Sequence, residues 1–146
     1  MITLEDINIA VNNKIKYAIN NFGYNVPLVS EDLREPIIRP SIKVCCENSK
    51  SEKLNEDCKE RNVTFSVYFF PENKHKPKNE NIKLREVLEN SFLDPLTITD
   101  SFVAPIDNLD FEVTDGILVM TFDVYTIELI PESNTYEQME EVIFNI

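Results

Sequence analysis

The chain has 146 residues, 42% of them hydrophobic and 27% charged, which is typical of one globular domain and excludes a disordered chain. Its formal net charge of −12 disfavours binding to polyanions, so we expect no sequence-specific contact with DNA or RNA. Apolar runs such as residues 117–120 are too short to cross a bilayer, and the acidic N-terminus does not have the layout of a signal peptide. These features predict a protein made and folded in the cytoplasm, with no membrane partner.

The first predicted element is an amphipathic helix that begins after Thr3, a residue able to cap it, and ends by Gly23. Glu5 and Asp6 lie near its start, where the positive end of the helix dipole favours acidic side chains. Apolar residues recur at three- and four-residue steps and form one stripe: Leu4, Ile7, Val11, Ile15, Ala18 and Phe22.

Two long strands are predicted next. Residues 26–41 contain three prolines and predict a short strand and a connection, since proline disfavours helix. Apolar and polar side chains then alternate on both sides of a polar interval at residues 47–57, which is either a solvated hairpin tip or the ends of strands that project beyond the sheet. The alternating apolar residues are Ile42, Val44 and Cys46 in the first strand and Val63, Phe65, Val67 and Phe69 in the second.

All three cysteines, Cys45, Cys46 and Cys58, lie in this predicted hairpin. Adjacent strand residues point to opposite faces, so Cys45 and Cys46 cannot share one metal ion. Neither a C-x-x-C nor an H-x-x-x-H pair occurs, and we predict no metal site. We expect Cys46 to be a small core residue and the other two cysteines to be incidental, although a disulfide between Cys45 and Cys58 is geometrically conceivable.

A polar loop at residues 71–81 carries a local basic cluster. Its members are Lys74, His75, Lys76 and Lys78, and the position of His75 between two lysines is typical of a solvated histidine rather than a catalytic one. The cluster is either an ordinary soluble loop or a site that docks an acidic partner.

A second helix is predicted over about residues 80–92, with Leu84, Val87, Leu88 and Phe92 on one face, and one or two short strands follow it. The last hairpin has a two-residue turn at Asp115-Gly116, which sets the register of its strands. The opposed pairs that this register predicts share one apolar face: Val113–Leu118, Phe111–Met120 and Leu109–Phe122.

The other face of the last strand carries Val119, Tyr125 and Ile127, so we expect a helix or another subunit to cover it as well. The complete order is α-β-β-β-α-β-β-β. This order predicts an α+β single domain, spanning residues 1–146, with a mainly antiparallel sheet and two main helices.

The chain end at residues 131–146 is rich in apolar side chains, which is unusual because termini fray unless something holds them. We interpret it as a C-terminal arm that either packs on the domain or reaches a neighbouring chain by strand addition. Its apolar residues are Tyr136, Met139, Val142, Phe144 and Ile146.

No motif indicates an enzyme. The chain has no G-x-S-x-G, no Gly-rich phosphate loop and no H-E-x-x-H, and the carboxylates of residues 107–115 lack the spacing of an EF-hand. We therefore predict no catalytic residue and no cofactor.

The order of elements and several phrases of the sequence resemble the small tail terminator proteins of tailed phages and prophages of Gram-positive bacteria, including contractile-tail particles. The phrases are "ITLEDINIAVNNKI", "VPLVSEDLREPIIRPSIKV", "RNVTFSVYFFP", "FEVTDGILVMTFDVY" and "MEEVIFNI". The charged segment between Cys46 and Arg61, with its cysteines, departs from what we expect of that family.

The resemblance implies a structural role without catalysis. Tail terminators join as a ring, usually of six, on the head-proximal end of the finished tail tube, stop its polymerisation and present the surface for the head connector or, in contractile tails, the last sheath ring. The implied partners are other copies of the chain, the tube protein and the connector or sheath protein. Assembly would occur in the bacterial host cytoplasm, before incorporation into a virion or a headless, bacteriocin-like particle.

We predict that the subunit or partner interface includes Val119, Tyr125, Ile127, the hairpin tip, the apolar residues of the arm, Lys74 and Lys76. A ring needs a heterologous interface, with a different patch on each side of the subunit. Two other readings stay open at this point: a head–tail connector or neck protein of a phage or phage-like particle, and a small stand-alone binding domain or small enzyme.

Overall fold

The computed structural model describes residues 2–21, 27–29, 39–73 and 75–130. Within these ranges the chain forms two helices and seven strands, and the predicted α+β class is confirmed. The stretch predicted as one or two short strands forms two. The elements are α1 (Leu4–Asn21), β1 (Leu28–Val29), β2 (Ser41–Lys53), β3 (Cys58–Phe70), α2 (Lys78–Phe92), β4 (Leu96–Thr99), β5 (Phe102–Ala104), β6 (Ile106–Thr114) and β7 (Ile117–Leu129).

The main sheet has the strand order β1-β2-β3-β7-β6, and β4 and β5 form a small separate sheet. β1 runs parallel to β2, and all other neighbours in the two sheets are antiparallel. β3 and β7 pair along almost their whole length, from Cys58 opposite Leu129 to Phe69 opposite Leu118. β7 therefore lies inside the sheet and has a paired neighbour on both sides for much of its length.

The hydrophobic core lies on one face of this sheet. Phe122 on β7 stacks on Phe65 of β3 with ring centroids 5.6 Å apart, and Phe92 of α2 packs against Phe122 at 5.0 Å. All three rings are at most 1% exposed. Buried residues of α1 and of the small sheet join the same cluster, so the helices and the small sheet cover this face.

α1 begins with the predicted cap. The hydroxyl of Thr3 accepts the backbone N–H of Asp6 at 3.1 Å, and the Asp6 carboxylate accepts the N–H of Thr3 at 3.0 Å. This reciprocal pair satisfies donors that a helix N-terminus leaves free. The middle of the predicted stripe is buried, whereas Leu4 is 39% exposed because it lies in the first turn, at the edge of the core. Phe22 and Gly23 lie outside the described residues.

α2 starts at Lys78, two residues before the predicted start, and the predicted face of Leu84, Val87, Leu88 and Phe92 is buried. The Asn81 side chain donates to the carbonyl of Gly116 at 3.0 Å, which ties the helix to the β6–β7 turn.

The β6–β7 hairpin has the predicted register next to its turn. Val113 is opposite Leu118 and Phe111 is opposite Met120. Asp115 and Gly116 have φ values of 52° and 79°, as a tight two-residue hairpin turn requires.

The predicted pairing of Leu109 with Phe122 is wrong. The register shifts between Asp107 and Asp110, and Asn108 there has a φ of 56°. This bulge inserts one extra residue into β6, which is a common device at sheet edges. It lets the Asn108 side chain donate to the Asp123 carboxylate at 2.8 Å, a contact that the regular ladder would not make.

The prediction that Cys46 is a core residue is also wrong. Cys46 lies opposite Phe65 in register, yet it is exposed, as are all residues from there to residue 57. The reason is that β2 and β3 continue past the part of the sheet that the helices cover. Residues 47–57 thus form projecting strand ends and a turn, the second of the two predicted forms.

The conceivable disulfide between Cys45 and Cys58 is excluded. Cys45 is opposite Ser66, and Cys58 lies eight residues before Ser66 in β3. Eight residues of strand span about 26 Å, far beyond the reach of a disulfide, which needs Cα atoms less than about 7 Å apart.

Replacing Gly116 by alanine should destabilise the fold by about 2 kcal/mol, because a side chain at positive φ is strained and packing around the turn is tight. A Cβ at this position would lie 3.2 Å from Cγ of Pro77. Urea unfolding of Gly116→Ala measures the effect, with Thr114→Ala, at a neighbouring exposed position, as the control. Equal stability of the two variants would contradict the prediction.

Candidate assembly interface

The outer face of the sheet is the side of β7 opposite the core. The register places Val119, Tyr125 and Ile127 there, as predicted, and none of the described helices lies on this face. Val119 and Tyr125 are half-buried by neighbouring strands, whereas Ile127 is 53% exposed. The structure thus brings these three residues onto one surface.

The end of the sheet that projects past the helices carries further exposed apolar side chains. We call Leu54, Ile127 and Leu129 the distal tip; they are 49%, 53% and 69% exposed. Leu54 donates its N–H to the carbonyl of Cys58 at 2.9 Å, and Cys58 is opposite Leu129. The sequence pattern did not point to Leu54 or Leu129, because a residue in a turn and one at a strand end carry no burial signal of their own.

The turn at the distal tip is held by hydrogen bonds between its own residues and to the end of β7. The Asn55 side chain accepts the N–H groups of Asp57 and Cys58, each at 2.8 Å. Ile130, just after β7, donates its N–H to the carbonyl of Asp57 at 2.7 Å. The tip is therefore an ordered surface whose residues occupy set positions.

A buried ion pair supports the projecting strands on the core side. Nε of Arg61 lies 3.3 Å from Oε2 of Glu128, and the two side chains are 12% and 2% exposed. The Thr126 hydroxyl donates to the same carboxylate oxygen. Nη1 of Arg61 and Oε1 of Glu128 are buried and have no hydrogen-bond partner among the described residues. Sequence reasoning missed this pair, although the alternation of β7 continues through Thr126 and Glu128 and marks their side as inward.

Replacing Arg61 by alanine should cost about 3 kcal/mol, because the Glu128 carboxylate would be left buried without its partner. The double variant Arg61→Met/Glu128→Leu should lose much less, since two apolar side chains replace the pair without leaving a buried charge. Urea unfolding measures both, with Lys50→Ala on the exposed part of β2 as the control. A neutral Arg61→Ala would show that the pair does not support the projecting strands.

Polar side chains on the outer face are linked in pairs across the strands. The Tyr125 hydroxyl donates to the Glu60 carboxylate at 2.6 Å, and this hydrogen bond raises the pKa of Tyr125. Thr64 donates to Asp123 at 2.6 Å, and Asn108 donates to the other carboxylate oxygen. These cross-strand contacts hold the outer face in one arrangement.

Asp123 has a lowered pKa. Partial burial by itself raises the pKa of this carboxyl group, but hydrogen bonds from Thr64, Asn108 and Asn62 favour the ionised form and outweigh the burial. Together with the exposed Asp110 and Glu112, which point the same way from β6, Asp123 makes this part of the outer face acidic.

The lowered pKa of Asp123 makes stability depend on pH. The stabilisation is fully present above the unfolded pKa of about 3.9 and is lost as the pH falls through the lower folded value. Asp123→Asn should therefore cost about 1 kcal/mol at pH 6 and progressively less below pH 4, measured by urea unfolding. Asp110→Asn, at an exposed position, serves as the control. A cost that does not change with pH would contradict this assignment.

A second concave surface lies at the other end of β7, between α2 and the β6–β7 turn. This groove has a volume of about 340 Å³, and its apolar walls come from Pro77, Ile82, Val113 and Leu118. Ile82 and Val113 are 54% and 53% exposed, although both are apolar. An open apolar groove of this kind is a candidate site for a peptide segment.

Two cations line the same groove, Lys78 and Arg85. The guanidinium group of Arg85 lies over the ring of Phe111, 5.3 Å from its centroid, which holds the cation beside the groove. Asn81 also lines the groove, and its carbonyl oxygen is buried without a hydrogen-bond partner among the described residues. Sequence reasoning missed the groove because it forms only when α2 packs against the distant turn.

The predicted basic loop leads directly into this groove. The N–H groups of His75 and Lys76 both donate to the Asn73 side chain at 3.0 Å, and the Lys76 side chain is exposed. Lys76 immediately precedes Pro77 and therefore lies at the mouth of the groove. Lys74 and the predicted arm residues Tyr136, Met139, Val142, Phe144 and Ile146 lie outside the described residues.

Within the described residues, no group of three or more histidine, cysteine, aspartate or glutamate side chains is placed to hold a metal ion. All three cysteines are free. None of the helices in the described ranges is long and apolar enough to cross a membrane.

The described domain has exposed apolar side chains at both ends of β7, which are candidate surfaces for contact with other chains. A family model described as phage tail terminator protein matches residues 6–136, which is most of the chain. The chain belongs to this family, and its role is a structural one in ending phage tails. No curated protein matches it.

Proposed function

We propose that this protein forms a ring, of six copies, on the head-proximal end of the tail tube. There it stops tube polymerisation and presents the surface to which the head connector or, in a contractile tail, the sheath attaches. The observation that carries the proposal is the family match over residues 6–136. In this proposal the ring is assembled in the bacterial cytoplasm and remains in the virion or phage-like particle.

The shape of the subunit supports a ring. A closed ring needs two different patches on each subunit that meet in a head-to-tail contact. The distal tip and the groove are two such patches, and Leu118 at the groove and Leu129 at the tip are separated by eleven residues of β7, or about 36 Å. Patches at opposite ends of one strand fit a head-to-tail contact better than a two-fold one.

The distal tip and the outer face are the surfaces that we assign to assembly contacts. Ile127 and Leu129 would be buried against a neighbouring copy or the tube, since exposed apolar side chains gain about 25 cal/mol per Å² of area removed from water. The exposed Lys76 would dock an acidic segment of a partner.

Electron microscopy of particles from the producing strain with this gene deleted tests the role directly. We expect over-long or ragged tubes and, where the particle has a head, unattached heads, because nothing ends tube growth. Finished tails of normal length would rule out a tail terminator. Finished tails beside unattached heads would instead indicate a connector.

Complementation of the deletion then tests the surface. Ile127→Asp/Leu129→Asp should restore far fewer finished tails than the original gene, since charges at the distal tip oppose its burial. Ile9→Asp serves as the matched control, because Ile9 is also an exposed apolar side chain (49%) but lies on α1, on the opposite face of the sheet from Ile127 and Leu129. Equal complementation by the two genes would remove the distal tip from the interface.

A further inference from the structure

The groove between α2 and the β6–β7 turn is unusual on this molecule because cations line it. The chain carries a net charge of −12, yet Lys78 and Arg85 flank the apolar walls of the groove and Lys76 lies at its mouth. A segment that fits there must be apolar where it contacts Ile82 and Val113 and acidic at its edges.

The last residues of the chain have this chemistry. Residues 131–146 contain four glutamates and no lysine or arginine. The glutamates stand among six apolar side chains: Tyr136, Met139, Val142, Ile143, Phe144 and Ile146. The charge and the apolar content of this arm therefore complement those of the groove.

The position of Ile130, the last described residue, bears on whether the arm enters the groove of its own copy or that of a neighbouring copy. Ile130 is bonded to Asp57 at the distal tip, whereas Leu118 lines the groove at the opposite end of β7. The path between them along β7 is about 40 Å. Residue 142 can reach at most about 43 Å from Ile130 in a fully extended chain, so within one copy only the last few residues could enter the groove.

We propose that the arm, residues 131–146, of one copy docks in the groove of the next copy. This proposal rests on the ring proposed above and identifies the contact between its neighbouring subunits. The arm leaves one end of the subunit and the groove lies at the other, so each copy both donates an arm and receives one, which is the head-to-tail contact that closes a ring. Asn81, which also lines the groove, donates to the carbonyl of Gly116 and so fixes the position of the turn that forms one wall.

Disulfide trapping between two differently tagged copies tests the contact. One copy carries Ile82→Cys, and the other carries a cysteine in place of Met139, Val142 or Phe144 in turn. In both, Cys45, Cys46 and Cys58 are replaced by serine. The pair is expressed in the deletion strain, and oxidised particles are separated without reductant. We expect a two-chain product that contains both tags and disappears on reduction.

Two controls are needed to interpret the disulfide trapping. Lys50→Cys/Asn62→Cys, opposite in register on β2 and β3, reports that oxidation has gone to completion. Leu93→Cys replaces Ile82→Cys as the matched site, because Leu93 is 72% exposed next to α2 but does not line the groove. Trapping at Leu93 as strong as that at Ile82 would overturn the proposal.

Two other outcomes of the trapping experiment would also overturn the proposal. A bond formed only within one chain, in the double variant Ile82→Cys/Phe144→Cys, would mean that the arm folds back onto its own copy. No bond at any arm position, with the β2–β3 control oxidised, would mean that the arm does not enter the groove. Tail length in the deletion strain is measured separately, and trapping is repeated on concentrated purified protein. Failure of the terminator role and failure of the arm contact therefore give different results.

Discussion

The packing of Phe122 is the interaction on which the rest of the fold depends. This ring stacks on Phe65 of the neighbouring strand at 5.6 Å and meets Phe92 of α2 at 5.0 Å, so one side chain joins the sheet to a helix. Aromatic rings contribute large buried areas and specific geometry to a core. This contact fixes the position of α2 on the sheet. It therefore also fixes the hydrogen bond from Asn81 to the β6–β7 turn and the groove between the helix and that turn.

A mismatch of length between sheet and helices creates the surfaces that we assign to assembly contacts. β2, β3 and β7 have 13 residues each, about 43 Å, whereas α1 and α2, of 18 and 15 residues, extend only about 27 Å and 22 Å. The strands therefore continue where no described helix covers them. Inward-facing residues there are the Arg61–Glu128 pair instead of aromatic rings, and apolar residues on the other face remain exposed. In the proposed ring, such an end would supply an interface.

The two contact surfaces differ in character and so suit different contacts. The distal tip is an apolar end of the sheet whose turn is held by the Asn55 side chain, whereas the groove is concave and lined by cations. The groove is a locally basic surface on an acidic chain. In the proposed ring, charge would favour the orientation in which the groove meets an acidic segment, and apolar burial would stabilise that contact.

Local signals in the sequence by themselves determined the α+β class, the Thr3 cap, the stripe of α1 and the register beside the Asp115-Gly116 turn, because each depends on residues close together in the chain. Alternation also placed Val119, Tyr125 and Ile127 on the outer face. Only the tertiary structure decided how far each helix reaches along the sheet, and so which inward-facing residues are covered. That reach exposes Cys46 and places Arg61 beside Glu128. The groove likewise exists only because α2 packs on a turn 35 residues away from Asn81, a contact that no local pattern specifies.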